Sequence, residues 1–175
     1  MDTLQAIATR HSIRRFTNQP VEDEALKAIL YAGFAAPTAH NRKPVHLVVI
    51  DDEVIKDSIA NSYRYGSMLK YAPLGIVVCV DTETETDEEF QVADASAATQ
   101  NMLLAIHSLE LGGVWCGVLK DKDWYAVIKD VLHLPENLRP ISLIALGHTD
   151  KLKKENRTER LNESFIHRNI LKEQG

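Results

Sequence analysis

The chain has 175 residues, of which 45% are hydrophobic and 26% are charged, the ordinary composition of one globular domain with a sizeable core. Its 20 basic and 25 acidic residues give a net charge of −5, so a broad nucleic-acid-binding surface is not expected. The N-terminal region lacks the apolar core of a signal peptide, and no apolar run is long enough to span a membrane.

The two cysteines, Cys79 and Cys116, lie in different apolar segments and are too few for a disulfide framework or a thiolate metal site. No spacing of histidine, cysteine and carboxylate residues is typical of a metal site. We therefore expect a single domain over 1–175 in the cytoplasm, with reduced thiols, no metal, and no nucleic-acid or membrane partner.

The N-terminal part of the chain combines two predicted helices with a basic segment. Apolar residues at helical spacing predict a short helix over 2–9 and a clearer one over about 22–35. Between them, residues 10–16 read Arg-His-Ser-Ile-Arg-Arg-Phe. Arginine forks bind phosphate oxygens in pairs and a serine hydroxyl adds a donor, so we infer a phosphate-binding segment. A solvated basic turn is the alternative.

The next stretch alternates loops with regular structure. Residues 37–44 are turn formers and polar groups between two prolines, which indicates an ordered loop. The β-branched run 46–50 predicts a buried strand, and an amphipathic helix follows over about 52–63. Residues 63–72, rich in tyrosine, are either a short helix or a lid-like loop, with packing against the core as the simpler role of the aromatic rings.

The middle of the chain contains its longest predicted helix. Residues 75–80 are expected to form a second buried strand, and the acidic stretch 81–89 a solvated turn. A helix over about 88–111 follows, closed by the glycine pair 112–113. Its alanine-rich apolar stripe permits close helix packing, so this helix is a candidate for the centre of the fold or for a dimer interface.

The C-terminal part begins with a short strand over 114–118. A helix over about 123–132 is expected next, capped by Asp121 or Asp123. Residues 141–146 predict the last long strand.

A polar stretch over 148–160 leads to a final helical pattern over about 163–172. Helices and strands are mixed without a regular βαβ repeat, which predicts an α+β fold with helices on both faces of a sheet.

Four motifs in this order resemble the nitroreductase family of flavoproteins, and the resemblance covers nearly the whole chain. They are Arg10-His11-Ser12-Ile13-Arg14, the segment Ala36–Pro44, Gly112-Gly113-Val114-Trp115-Cys116-Gly117, and Ala145-Leu146-Gly147 followed by Arg160-Leu161. The resemblance implies an α+β fold with a mostly antiparallel central sheet flanked by helices. It also implies an intertwined homodimer that holds FMN at the subunit interface.

The resemblance assigns the basic segment to the cofactor. Arg10 and Ser12 correspond to phosphate and ribityl contacts of FMN, with His11 beside them through its backbone or its ring. Arg14 corresponds to a basic side chain at the pyrimidine edge of the flavin, where a cation stabilises negative charge on the reduced ring. Arg160 resembles a second phosphate-binding arginine, and Arg157 is its rival for that role.

The resemblance also gives two further contact segments. The loop 37–44 corresponds to the stretch that the second subunit lays against the flavin. Cys116 and Gly117 correspond to backbone beside the reacting nitrogen of the ring, where glycine permits close approach. Cys116 is more simply a small buried side chain than a nucleophile, because no activating partner is visible. The loop residues expected to contact the cofactor are Pro37, Thr38, Ala39 and Asn41.

The implied function is FMN-dependent oxidoreduction by a ping-pong mechanism. NADH or NADPH would reduce the flavin and leave, and a small electron-poor acceptor of the nitroaromatic or quinone type would then be reduced in the same place. No side-chain acid or base is nominated. The alternatives are a flavin-binding or redox-sensing module without turnover, a specialised branch of the same fold, and a protein that uses the basic segment as an interaction patch.

Overall fold

The computed structural model describes residues 1–152 and 162–169, which form one sheet with helices on both sides. The helices are α1 (Thr3–Thr9), α2 (Asp23–Phe34), α3 (Glu53–Ser62), α4 (Glu88–Ser108) and α5 (Asp123–Val131). The strands are β1 (Val45–Ile50), β2 (Leu74–Asp81), β3 (Gly112–Gly117) and β4 (Leu138–Gly147). Short 3₁₀ turns cover Ala39–Asn41, Arg64–Tyr71 and Glu163–Phe165.

The sheet has the strand order β1-β2-β4-β3, and every neighbouring pair is antiparallel. Alternate residues of a strand point to opposite faces, so β2 divides its side chains between two cores. Ile76 and Val78 pack with α2 and α4, whereas Val77 and Cys79 pack with residues of α3 and α5. The predicted α+β fold with helices on both faces of an antiparallel sheet is therefore confirmed.

The strand β1 lies at the edge of the sheet, and this position corrects one prediction. Its sequence is rich in β-branched residues, which suggested a buried strand, yet His46 and Val49 are exposed and only Ile50 is fully buried. The strands that are buried along most of their length are β2 and β4, which each have a neighbour on both sides. An edge strand has a neighbour on one side only, and composition does not reveal that position.

The long helix α4 crosses the fold, and its predicted apolar stripe is buried at Ala95, Ala98 and Met102. Its end differs from the prediction, since Glu110, with φ of 59°, closes it. The N–H of Glu110 donates to His107 O at 3.1 Å, and the N–H of the next residue donates back to the carbonyl of residue 106 at 3.0 Å. This is the bonding of a Schellman motif. The glycine pair 112–113 instead begins β3.

Two expectations about polar segments are also wrong. The helix α5 is preceded by Lys122, which makes no side-chain cap bond, so neither Asp121 nor Asp123 caps it. The acidic stretch 81–89 is not solvated throughout, because Glu85 is completely buried.

The helix predicted over about 163–172 does not form in most of its described residues. Only Glu163–Phe165 forms a 3₁₀ turn, residues 166–169 are not helical, and Asn169 has φ of 66°. All of residues 162–169 are exposed, including the large apolar side chains of Phe165 and Ile166. Within the described ranges, no helix combines the length and the apolar character needed to cross a membrane.

Candidate functional site

The basic segment that follows α1 lies alongside the first residues of β3. The N–H of Ile13 donates to Gly113 O at 3.0 Å, and the Ile13 side chain is 5% exposed. A Cβ built on Gly112 would lie 2.6 Å from Cγ2 of Ile13, so this close packing requires a glycine. Because Ile13 is fixed in the core, its neighbours Ser12 and Arg14 are both directed to the surface, where they are exposed.

Both ring nitrogens of His11 lie near backbone carbonyls of its own chain. Its Nδ1 lies 3.1 Å from Thr9 O and its Nε2 lies 3.3 Å from Lys151 O. The ring meets His107 edge to face, with 6.2 Å between the ring centroids. The side chain of His11 is thus committed to internal contacts, so the backbone is the part of this residue better placed to serve a ligand.

His107, which the sequence gave no reason to single out, is buried beneath the basic segment. Its Nε2 lies 2.7 Å from Oγ1 of Thr9, and its side chain is almost completely enclosed. Burial lowers the pKa of His107, and the nearby charges of His11 and Arg10 lower it further. A neutral His107 therefore supports the segment from inside the fold.

The far end of β3 brings a second set of predicted residues to the surface. Cys116 is buried, and its Sγ lies 3.5 Å from Tyr65 O and 3.7 Å from Sδ of Met68. Burial raises the pKa of the Cys116 thiol to about 11, although Arg14 acts in the opposite direction. A thiol with so little thiolate is a poor nucleophile, which agrees with the view that Cys116 is a packing residue.

Gly117 differs from the other glycines of the sheet. A Cβ at Gly113 would lie 3.1 Å from Ile106, whereas a Cβ at Gly117 would meet nothing within 4 Å. Internal packing therefore gives no reason for a glycine at 117. Open space at this point leaves the backbone accessible to an approaching molecule.

A cavity of about 420 Å³ connects these two sets of residues. Arg14 forms part of its wall, the end of β3 forms another, and the turn between α3 and β2 forms a third. The lining residues are Arg14, Tyr63, Arg64, Tyr65, Ser67, Met68, Val114, Trp115, Cys116, Gly117 and Trp124. The fold thus brings Arg14, Cys116 and Gly117 to one cavity, whereas Arg10, His11 and Ser12 do not line it. The role of these residues in binding a cofactor stays a prediction.

The 63–72 segment supplies the aromatic wall of this cavity, a role that the sequence left open. The rings of Tyr63 and Trp124 lie 4.7 Å apart between centroids, and those of Tyr63 and Tyr65 lie 5.4 Å apart. Tyr63 therefore packs onto the core as expected, whereas Tyr65 stays 59% exposed. The clustering of tyrosines was the available sequence signal, but the spacing could not identify Trp124 as their partner.

The loop 37–44 is ordered by its own hydrogen bonds and lies elsewhere on the molecule. The N–H of Lys43 donates to Oγ1 of Thr38 at 3.0 Å, and the N–H of Ala39 donates to Oδ1 of Asp94 at 2.8 Å. His40, Asn41 and Lys43 all have positive φ, which costs free energy for residues other than glycine. A loop held in this conformation needs strong external attachments.

The main attachment of this loop is an ion pair with a buried carboxylate, which sequence analysis missed. Nη1 of Arg42 lies 2.8 Å from Oε1 of Glu85. The same Oε1 accepts the N–H of Asp87 at 3.0 Å, while Oε2 is buried without a hydrogen-bond partner among the described residues. Glu85 was overlooked because it lies in a run of acidic and threonine residues that is typical of a solvated turn.

The two groups of predicted cofactor residues are far apart within one chain. The loop is attached to α4 at Asp94, whereas the basic segment packs over His107 on the same helix. Thirteen residues separate these positions, which corresponds to about 20 Å along the helix axis. Pro37, Thr38 and Asn41 border a different hollow, also about 420 Å³, at the end of α2, and Ala39 lies beside them in the loop without lining it. Arg160 and its rival Arg157 lie outside the described residues.

Known proteins with this fold have been described as oxidoreductases. A structure from Desulfovibrio desulfuricans, provisionally named a nitroreductase and in complex with FMN, is 35% identical to the chain with a TM-score of 0.83. The match covers 98% of this chain and 99% of that one. The NADPH:FMN oxidoreductase of Vibrio harveyi in complex with NAD⁺ is 28% identical with a TM-score of 0.85, covering 99% and 79% of the two chains.

Sequence comparison gives the family directly. A protein of Methanothermobacter thermautotrophicus with the provisional name NADH dehydrogenase/NAD(P)H nitroreductase is 40% identical over 148 residues, which cover 85% of this chain and 78% of that protein. The family model described as the nitroreductase family matches residues 7–70 and 62–148. The chain belongs to the nitroreductase family.

Proposed function

We propose that this protein is an FMN-dependent oxidoreductase that takes electrons from NADH or NADPH and reduces a small electron-poor acceptor. Family membership supports the general reaction. One observation supports a particular site for the cofactor: Arg14 and Gly117 border the same cavity. A cation and an accessible stretch of backbone at that cavity are the features that a flavin ring with an anionic edge would use.

The residues present fit such a cofactor. Arg14 is exposed at the cavity, where its guanidinium can stabilise negative charge on the pyrimidine side of the ring. Ser12 and Arg10 lie on the same segment and supply a hydroxyl and a cation for the phosphate end. Gly117 leaves its backbone open. When bound, FMN supplies two-electron chemistry between a nicotinamide donor and the acceptor.

The contribution of this chain is to bind and orient the reactants and to restrict water at the cavity. In the overall reaction NAD(P)H is oxidised, and a quinone acceptor gains two electrons and two protons, of which one comes from solvent. No aspartate or glutamate lines the cavity among the described residues, and no side-chain donor of that proton is nominated. The thiol of Cys116, with its pKa raised by burial to about 11, remains protonated and is not part of the reaction.

We further propose that the working unit is a homodimer. The basic segment and the loop 37–44 attach to α4 at positions about 20 Å apart along its axis, which favours a loop from a second copy as the partner of the basic segment at one flavin. Large apolar side chains on α1, α2 and the C-terminal segment are exposed, as expected for surfaces that another copy covers. They are Leu4, Ile7, Tyr31, Phe34, Phe165 and Ile166. The cytoplasm remains the expected compartment.

The decisive experiment is the absorbance spectrum of the purified protein, followed by anaerobic titration with NADH or NADPH. We expect a yellow protein that bleaches with a donor and recovers its colour when a quinone is added. A yellow protein that bleaches with neither donor would favour the flavin-binding module without turnover. A colourless protein that gains no thermal stability from FMN would contradict the cofactor assignment, since a ligand of the folded state must raise stability.

The phosphate assignment has its own test. Replacement of Arg10 or Arg160 by alanine removes a charge-assisted contact and should weaken FMN binding by roughly 1.5–3 kcal/mol. The dissociation constant can be measured by the quenching of flavin fluorescence on binding. The same measurement on an Arg157→Ala variant decides between Arg157 and Arg160. Unchanged affinity in both Arg10→Ala and Arg160→Ala would remove these residues from the phosphate site.

A further inference from the structure

We propose that the cavity beside Arg14 selects flat aromatic acceptors that carry an anionic group, and that Arg64 and Tyr65 bind them. Arg64 would pair with the anion while the ring of Tyr65 contacts the flat part of the ligand. This inference rests on the proposed oxidoreductase function and specifies the substrate class of the same site.

The lining of the cavity carries positive charge. Its lining includes two guanidinium groups, those of Arg14 and Arg64, and no aspartate or glutamate. Within the described ranges no carboxylate forms an ion pair with either group. Two like charges that face about 420 Å³ of restricted space repel each other, and an anionic ligand removes that repulsion.

Arg64 and Tyr65 are in direct contact at this cavity. The Cζ atom of Arg64 lies 4.7 Å from the centroid of the Tyr65 ring, a cation–π contact. A contact between a guanidinium and an aromatic ring uses none of its N–H groups as conventional hydrogen-bond donors, so they are available to other partners. Those N–H groups match the two oxygens of a carboxylate. An aromatic acid carries both a ring and a carboxylate. Neighbouring aromatic and guanidinium groups can therefore contact it together.

The Arg64–Tyr65 pair is held in place by a hydrogen-bonded turn that packs on the core. The N–H of Gly66 donates to Tyr63 O at 2.8 Å, which closes a turn around Arg64 and Tyr65. A Cβ at Gly66 would lie 2.9 Å from Trp124, so glycine lets the turn pack directly on the buried indole. A site that is formed before its ligand arrives loses less conformational entropy on binding.

The two arginines then have separate roles. Arg14 serves the cofactor under the proposed function, which leaves Arg64 as the cation for the second ligand. Both a carboxylate on the acceptor and a phosphate on the nicotinamide donor have the chemistry that Arg64 would bind. We assign it to the acceptor, because the exposed Tyr65 ring beside it suits a compact aromatic acid.

The test compares 4-nitrobenzoate with its neutral analogue 4-nitrobenzamide in the FMN-loaded protein. We expect Arg64→Gln to lower kcat/KM for 4-nitrobenzoate about tenfold, as for the loss of one charge-assisted contact, and to change that for 4-nitrobenzamide less than about twofold. Tyr65→Leu should weaken both acceptors. Lys27→Gln on α2, which removes an exposed cation remote from the cavity, is the matched control and should change neither.

A binding measurement separates this proposal from the proposed function. The only two tryptophans, Trp115 and Trp124, line the cavity, so quenching of their fluorescence reports ligand binding without any donor or turnover. The dissociation constant of 4-nitrobenzoate should rise about tenfold in Arg64→Gln. Failure of the flavin to bleach with NADH or NADPH would defeat the oxidoreductase proposal, whereas this titration would still measure the anion preference.

Three results would overturn the inference. The first is an equal loss for the two acceptors in Arg64→Gln, which would indicate a structural role. The second is an effect confined to the KM of NADPH or NADH, which would assign Arg64 to a donor phosphate. The third is an unchanged preference for 4-nitrobenzoate over 4-nitrobenzamide.

Discussion

Arg42 and Glu85 form an ion pair of 2.8 Å between a loop cation that is 41% exposed and a carboxylate that is fully buried. The pair joins the loop 37–44 to the turn before α4, and the loop contains three residues other than glycine with positive φ. Since strained backbone persists only where the surroundings fix it, this ion pair determines the shape of a segment that we propose to contact the flavin of a second copy.

Because of this ion pair, removing the cation alone should destabilise the protein more than removing both charges. Arg42→Met leaves the buried Glu85 without its cation and should lower the free energy of unfolding by about 2 kcal/mol. The double variant Arg42→Met/Glu85→Gln should recover part of that loss, because the buried group is then neutral and can still accept the N–H of Asp87. Urea denaturation of Arg42→Met, Glu85→Gln and the double variant measures the coupling free energy between the two side chains.

The exposed pair between Lys27 and Glu24 provides the control for that cycle. Its side chains are 70% and 85% exposed, so Glu24→Gln should change stability by less than about 0.5 kcal/mol. FMN affinity should fall in Arg42→Met and stay constant in Glu24→Gln. A loss of stability without any loss of FMN affinity would show that the loop conformation does not matter for the cofactor.

Gly117 and Gly112 should respond in opposite ways to substitution by alanine. Gly112→Ala places a Cβ 2.6 Å from Ile13 and should cost about 1–3 kcal/mol of stability, as for overpacking elsewhere. Gly117→Ala meets open space, so its stability should be unchanged or slightly raised. If the flavin passes close to this backbone, the same change should weaken FMN binding about tenfold.

Thermal unfolding and flavin fluorescence titration on the two glycine variants measure these effects independently. Wild-type FMN affinity in Gly117→Ala would exclude close contact between the cofactor and this residue. Unchanged stability in Gly112→Ala would contradict the close packing of the basic segment on β3.

The two cysteines should be unreactive in the folded protein. Burial raises the pKa of Cys79 to about 12 and that of Cys116 to about 11, against an ordinary value of 9.0. At pH 8 the thiolate fraction of Cys116 should be about 100-fold below that of an ordinary thiol, and the nucleophile in alkylation is the thiolate. Iodoacetamide should therefore modify neither residue until denaturant is added.

Mass spectrometry of protein treated with and without FMN checks this expectation. A Cys116→Ser variant assigns any modification to one residue. Fast alkylation of Cys116 in the cofactor-free folded protein would mean that the thiol is activated, and its exclusion from the chemistry would then be wrong.

His107 should make stability depend on pH between neutral and mildly acidic conditions. Burial is the main cause that lowers its pKa in the folded state from the ordinary 6.5. As the pH falls through that ordinary value the unfolded chain takes up the proton first, so the free energy of unfolding decreases. The stabilisation is complete above the ordinary pKa and is lost as the pH falls below it.

The variant His107→Leu removes this titration while the hydroxyl of Thr9 keeps its bond to Gln5 O at 2.7 Å. We expect a flatter dependence of the unfolding free energy on pH between 7.5 and 5.5 in this variant, measured by urea denaturation at several pH values. His46→Gln, a change at an exposed position of β1, should leave the dependence unaltered. Equal slopes in His107→Leu and the wild type would show that His107 is not the responsible group.

Much of the fold followed from local patterns in the sequence. The helix predicted over about 22–35 forms as α2, which buries Ile29 and Gly33, and the alternation within β2 produces two cores. These features depend on short-range geometry, because the spacing of residues along the sequence determines which side chains share a face. Arg14, Cys116 and Gly117 were also predicted to share a site, and they line one cavity.

Only the tertiary structure decided which distant residues meet. The pairing of Arg42 with Glu85 spans a long stretch of chain, and a buried carboxylate has the same local sequence pattern as a solvated one. The glycines at 112 and 113 were expected to end a helix, but packing against Ile13 and Ile106 requires them in β3, and Glu110 takes the left-handed position instead. Burial is a property of the assembled layers, so no local pattern could have fixed these outcomes.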